Sequence, residues 1–321
     1  MPFQPFSPVT STNVVLTFHR VESATWFAAA LETVGRFYRF VDADDLHAFL
    51  YAGRRLNGAC HVTFDDGDRT FADVALPELT RRNIPASLFV APDVLTGTRA
   101  YWFQELQHVR RHVDDAMIRR QLAVQLGRSP EALAGYTVAA LFKTLPLTGM
   151  WQALDALEET HGLSPAPASN LTLAEVAALD QHPLVTIGAH SLTHPVLANE
   201  TSDEAARQIA GSVAQLAARL GRPVRTFAYP NGAAGLDYNR REQALLRAAG
   251  VELAFTTDAG YVRQRSDPLA LPRVGFSGTP GETPVWIATK VLLAPWWDRL
   301  RRNEENKQRR ALRSRMSEPL P

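Results

Sequence analysis

The chain has 321 residues, 45% of them hydrophobic and 21% charged, and a formal net charge of +1. This length allows one large or two ordinary domains with a substantial core, and the near-balance of acids and bases argues against wholesale nucleic-acid binding. The single cysteine, Cys60, excludes an intramolecular disulfide framework; it lies in an apolar run, so packing in a reducing compartment is its expected role.

Met1 to Phe6 has neither a basic nor an apolar leader pattern, and no run reaches the roughly 18 apolar residues of a spanning helix, so a cytoplasmic protein is expected. Val14 to Phe18 reads as a short strand ending at His19, followed by helix-like spacing from Trp26 to Phe37. A second strand is expected at Arg39–Val41, a helix from Asp44 to Tyr51, and a third strand from Ala59. Helical spacing then runs from Thr70 to Arg82, and Ala86–Val90, bounded by Pro85 and Pro92, reads as a strand buried on both faces. Strand and helix in alternation indicate an α/β chain with a parallel sheet or barrel.

The alternation stops between about residues 100 and 183. Apolar spacing in Met117–Leu126, Val138–Leu147 and Met150–Leu157 predicts a helical insertion that caps or flanks the site, with Pro165–Ala168 as a loop. Thr172-Leu-Ala-Glu175 and Thr201-Ser-Asp-Glu204 are capping-box patterns opening two further helices. Strands are expected at Val185–Gly188, Val224–Ala228 and Leu253–Thr256, for six or seven in all. Beyond Pro284, Trp296 and Trp297 precede eight basic and two acidic residues between Arg299 and Arg315. Two readings are open: peripheral contact with an anionic membrane face, or, favoured, a helix on the barrel followed by a solvated, disordered end.

Two clusters carry chemistry. Thr63-Phe-Asp-Asp-Gly67 puts adjacent carboxylates at the C-terminal end of a strand, where α/β enzymes place their active sites. If both are partly buried, one must be paired, protonated or bound to a cation. His190-Ser-Leu-Thr-His194-Pro195 supplies two imidazoles that share a direction if they lie on one helical turn. Two imidazoles and one carboxylate make the ligand set of a hydrolytic zinc, iron or manganese site, leaving the second carboxylate free as a base.

These segments, with Phe227-Ala-Tyr-Pro-Asn-Gly232 in the same order, resemble the polysaccharide deacetylases with a NodB-homology domain, carbohydrate esterase family 4. Leu16–Val21 and Leu271–Val274 resemble segments of one bacterial branch, so the likeness covers roughly residues 12 to 276. It implies an irregular (β/α)7 TIM-like barrel over 12–284, within which the residue pattern sets the helical insertion at about 100–183; the pattern beyond it reads as a C-terminal helix and basic tail at 285–321. By this resemblance Asp66, His190 and His194 hold a divalent metal, with zinc as the default, and Asp65 is the general base. The Asn231 backbone N–H, beside Tyr229 and Pro230, would help hold the oxyanion.

Two departures stand out. The family's usual arginine two residues before that proline is Ala228 here, and Arg273 is the expected substitute partner for Asp65. No histidine follows His194, so the usual C-terminal general acid is missing and His19 is the candidate replacement or substrate-binding residue. Trp102 is a candidate sugar-stacking platform, though a buried core aromatic is the commoner role for such a residue. The implied activity is metal-dependent removal of N-acetyl groups from an amino sugar in a polysaccharide, glycolipid or saccharide precursor made on the cytoplasmic side. The alternatives are a same-fold hydrolase of a formamide or cyclic amide, and a catalytically weakened glycan-binding protein.

Overall fold

The computed structural model describes residues 10–97, 99–278, 281–296 and 304–316. The N-terminal stretch read for a leader, Trp297, and the basic residues Arg299, Arg301 and Arg302 lie outside them.

Among the described residues, eight strands form one sheet: β1 (Val14–Phe18), β2 (Arg39–Val41), β3 (Ala59–Phe64), β4 (Ala86–Val90), β5 (Val185–Ala189), β6 (Thr226–Ala228), β7 (Leu253–Phe255) and β8 (Val274–Gly275). Every strand pairing is parallel, in the order β7-β6-β5-β4-β3-β1-β8, while β2 pairs separately with the first half of β3. Leu271 bridges Phe255 and Val274 pairs with Leu16, so residues 271–275 run between β7 and β1 and the sheet curls into the expected barrel. Every residue of β1, β3 and β4 is buried, as a parallel sheet covered on both faces requires. With all strands pointing one way, the segments that follow them gather at one end of the barrel.

The predicted helix at Thr70–Arg82 forms in two parts, a π-helical turn at Phe71–Ala75 and a regular helix at Leu76–Arg82. Pro77 explains the change, since it has no N–H to give and its ring crowds the preceding turn. The segment between β4 and β5 folds into helices at Trp102–Val109, Asp115–Leu126, Val138–Phe142 and Leu147–His161, which share an apolar core of their own. Thr172 and Glu175 form the full capping box, whereas Thr201 caps Glu204 without return, because Glu204 binds Arg207 and Gln208 instead.

The C-terminal part keeps the helix on the barrel of the favoured reading and departs from its solvated end. Pro284–Leu292 packs Ile287 and Val291 into the barrel core, and Glu304–Met316 is a helix docked on the protein, not a solvated end. Its Arg309 is buried and its Arg313 donates to two backbone carbonyls, so these cations are engaged within the protein and give membrane contact no support. No helix among the described residues is long and apolar enough to cross a membrane.

Candidate active site

Asp65 and Asp66 leave the end of β3, and the Asp65 N–H donates to Phe18 O of β1 at 3.0 Å. Asp66 takes the left-handed backbone region at φ 69°, as do Ser191 at 62°, His194 at 60° and Asn231 at 61°. Such values are uncommon for residues with a Cβ and persist only where the surroundings hold them. Four of the five non-glycine cases among the described residues therefore fall in the motif segments; the fifth, Asn83, ends a helix.

The histidines do not lie on a helical turn as the spacing suggested. His190–His194 is an irregular loop in which the Ser191 hydroxyl accepts the His194 N–H at 3.0 Å. Buried Gln208, from the helix Ser202–Leu220, accepts the N–H groups of Leu192 and Thr193 at 3.1 and 3.0 Å. Pro195 disfavours helical geometry at His194, and Gln208 supplies the acceptor that a helix would otherwise provide.

This loop brings both rings to Asp66. Its Oδ1 lies 3.4 Å from His190 Nε2 and 3.5 Å from His194 Nε2, and all three side chains are buried. His190 Nδ1 donates to Ala228 O at 2.7 Å, which fixes the tautomer and leaves Nε2 to face the carboxylate. Asp66 Oδ1 is buried without a hydrogen-bond partner. Burial opposes its charge, but His190 and His194 outweigh that and hold the Asp66 carboxyl well below the usual range. Burial pushes His194 down to about 3, while Asp66 and Asp65 overcome burial to raise His190. One orphaned carboxylate oxygen facing two imidazole nitrogens fits a divalent cation, whose ligand atoms at about 2.1 Å would stand roughly 3 to 3.5 Å apart.

Asp65 turns the other way. Arg273 donates from Nη1 to Oδ1 and from Nη2 to Oδ2, both at 2.7 Å, and is itself fully buried. Its Nε donates to Thr256 O at 2.8 Å and its Nη1 also reaches Thr63 Oγ1 at 3.2 Å. Burial alone would raise the Asp65 carboxyl, but Arg273, with help from His190 and His19, brings it below its ordinary value. His19, half exposed, sits 3.9 Å from Asp65 Oδ2 at the mouth of the site.

Pro230-Asn231-Gly232 follows β6 beside His190, and no acceptor for the Asn231 N–H is found among the described residues. Thr257 holds the turn, its hydroxyl donating to Asn231 O at 2.7 Å and its N–H to Gly232 O at 3.0 Å. Tyr229 is turned into the core, where its hydroxyl donates to Leu269 O at 2.9 Å and its ring stacks on Tyr238, so its side chain is taken up by packing instead of sugar contact. Trp102 is corrected likewise: it is 2% exposed in the insertion core, and its Nε1 donates to His194 O at 2.9 Å. An indole with a buried face cannot stack on a sugar.

Several residues that shape the site escaped the sequence reading. The Tyr101 hydroxyl and Asn170 Nδ2 both donate to Asp66 O at 3.0 Å, so the insertion clamps the acid-pair turn at each of its ends. Phe103 is partly open and meets the His194 ring edge-on at a centroid distance of 5.0 Å. Its place in the run Tyr101-Trp102-Phe103 was the only available signal.

Residues 137–254 match the model of the polysaccharide deacetylase family, a segment that contains the histidine loop and the Asn231 turn but not the acid pair. Comparison with curated proteins gives no match. Among solved structures, the Streptococcus pyogenes deacetylase PplD, in complex with acetate, is similar at 17% identity and a TM-score of 0.57, over 89% of this chain and 99% of that one. IcaB from Ammonifex degensii is 22% identical with a TM-score of 0.57, over 87% and 97%. The deacetylase domain of BpsB from Bordetella bronchiseptica is 14% identical with a TM-score of 0.55, over 85% and 98%. The matched segment is thus similar to the polysaccharide deacetylase family, and the solved structures share the barrel fold.

Proposed function

We propose that this protein removes the N-acetyl group from an amino sugar within a glycan or saccharide precursor. The observation that carries the reading is the division of labour between adjacent carboxylates, with Asp66 facing two histidines and Asp65 facing Arg273. A glycan-binding module has no need of such an arrangement. Asp66, His190 and His194 would hold a divalent ion, with zinc as the default. When bound, that ion would lower the pKa of a coordinated water and polarise the amide carbonyl.

The chain's own groups would do the rest. Asp65, kept ionised by Arg273, would accept the proton of the attacking water, and the Asn231 N–H would donate to the carbonyl oxygen as charge develops there. His19, half exposed and 3.9 Å from Asp65 Oδ2, would donate the proton that the leaving amine requires. Phe103, next to His194, would give the substrate an apolar wall. The acetate recorded with the PplD structure is the product this chemistry would release.

The test is acetate release from a panel of N-acetylated amino sugars and oligosaccharides by metal-loaded protein, beside Asp65→Asn. Release that disappears in the variant supports the reading. Silence across the panel with metal bound points to another amide.

A further inference from the structure

The helix Glu304–Met316 lies farthest in sequence from the acid pair, yet it reaches the loops that carry the site. Arg309 is 1% exposed and forms an ion pair with Asp237, also 1% exposed. Removing two charges from water is tolerated only where each satisfies the other, so the contact is specific in direction and partner. Arg313 donates to Leu236 O at 2.6 Å, Gly235 O at 2.9 Å and Asn199 Oδ1 at 2.7 Å. Lys143 of the insertion pairs with Glu305 at 2.8 Å, and Leu312 enters the insertion's core.

Asp237 is the junction. Its Oδ2 accepts the Ala233 N–H at 2.7 Å, one residue past the Asn231-Gly232 turn. Its backbone O accepts the Ala198 N–H at 3.0 Å, four residues past His194. One side chain and its own carbonyl thus tie the metal-ligand loop to the Asn231 turn, and Arg309 holds that side chain from the C-terminal helix.

We propose that Arg309 and Asp237 are positioning residues for the active site, and that the C-terminal helix is a latch setting the Asn231 turn against the histidine loop. This rests on the reading of the Asn231 N–H as an oxyanion donor. Asn231 at φ 61° and Gly232 at φ 73° form a turn held by Thr257 on one side and by the Asp237–Ala233 bond on the other. A turn fastened on one side only would move its N–H, and displacements near 1 Å cost on the order of 100-fold in rate.

The experiment uses the full-length, metal-loaded protein with Arg309→Met, Arg309→Lys, Asp237→Asn and the double variant Arg309→Met/Asp237→Asn, and Lys307→Ala as an exposed control on the same helix. Amide hydrogen exchange is followed in peptides covering 230–238, with kcat, KM and metal content measured alongside. The expected result is exchange at 230–238 at least about tenfold faster in Arg309→Met, at unchanged metal content. A kcat lower by about 10- to 100-fold at a KM within about twofold should accompany it. Arg309→Lys should recover part of the loss, and the double variant should be no worse than either single one, since it leaves no buried charge unpaired. Unchanged exchange at 230–238 overturns the proposal, as does faster exchange with kcat untouched, or a loss of kcat that only tracks the folded fraction. If wild-type protein releases acetate from nothing in the panel, the deacetylase reading fails separately, while hydrogen exchange still decides whether the latch exists.

Discussion

Arg273 and Asp65 lie 208 residues apart in sequence and form a two-pronged, fully buried ion pair, with both contacts at 2.7 Å. The guanidinium fork matches the carboxylate plane and holds both oxygens in one orientation. Asp65→Asn should lower kcat by about 100- to 10,000-fold with metal content unchanged. Arg273→Met should leave Asp65 buried without its partner and cost about 3 to 5 kcal/mol of stability. Arg273→Lys should not restore activity, because an ammonium cannot replace a two-pronged donor. Metal analysis, turnover and chemical denaturation of the three variants check these outcomes; an active Asp65→Asn protein would remove the general-base role.

Asp66→Asn, His190→Ala and His194→Ala should each lose bound metal, while the barrel persists. Metal should raise the melting temperature of the native protein in a concentration-dependent way, by about 2.7 kcal/mol of stability at 100-fold over its Kd. The same titration should leave the His194→Ala melting curve in place. A metal-induced shift of equal size in that variant would mean the ion binds elsewhere.

His61 gives a pH prediction independent of the metal ligands. Its Nδ1 donates to Val41 O at 2.8 Å and its Nε2 accepts from Ser87 Oγ at 2.9 Å, so the buried ring is satisfied in its neutral form. Burial lowers its pKa below the ordinary 6.5. The unfolded chain therefore takes up a proton before the folded one does. Stability is complete above about pH 6.5 and falls as pH drops below it, by at most about 1.4 kcal/mol per pH unit for this one group. His61→Asn should lower stability at every pH and reduce that slope between pH 6.5 and 5, as read from denaturation midpoints; an unchanged slope would contradict the assignment.

Gly188 stands two residues before His190, where an added Cβ would meet Phe89 at 2.4 Å and Thr226 Oγ1 at 2.5 Å. Neither neighbour has room to retreat inside a filled barrel, so Gly188→Ala should cost about 1 to 3 kcal/mol. It should also weaken metal binding by displacing the His190 loop. Thermal melting and metal titration test both expectations, and a native-like melting curve would show that the barrel interior yields.

Trp102 and Phe103 should separate cleanly. Trp102→Phe removes the donor to His194 O and should lower stability by about 1 to 3 kcal/mol, the cost of leaving a buried carbonyl unpaired. Phe103→Ala should raise KM for the sugar substrate with little change in melting temperature. The reverse pattern would return the platform to Trp102.

The sequence by itself determined the elements that local pattern controls. Short runs rich in apolar and β-branched residues located β1, β3, β4 and β5, and the capping residues Thr172 and Thr201 located helix starts, because these signals act between residues a few positions apart. The ordered motifs likewise singled out Asp65, Asp66, His190 and His194 before any geometry was known. The pairing of Arg273 with Asp65 could be anticipated from one missing arginine, but only the closing of residues 271–275 against β1 and β7 brings it about.

Other features had no local trace. The His190–His194 spacing suggested a helical turn, and the loop is set instead by Gln208, a distant side chain that supplies its hydrogen bonds. Trp102 and Phe103 are neighbours of similar chemistry, and which one is covered depends on the core of the insertion. The basic C-terminal run looked solvated because charge alone predicts exposure; Arg309 is buried because Asp237, 72 residues earlier, waits where the barrel loops converge. Periodicity reports which face of an element is apolar, whereas a buried charge is stable only beside its partner, and only the tertiary structure brings the two together.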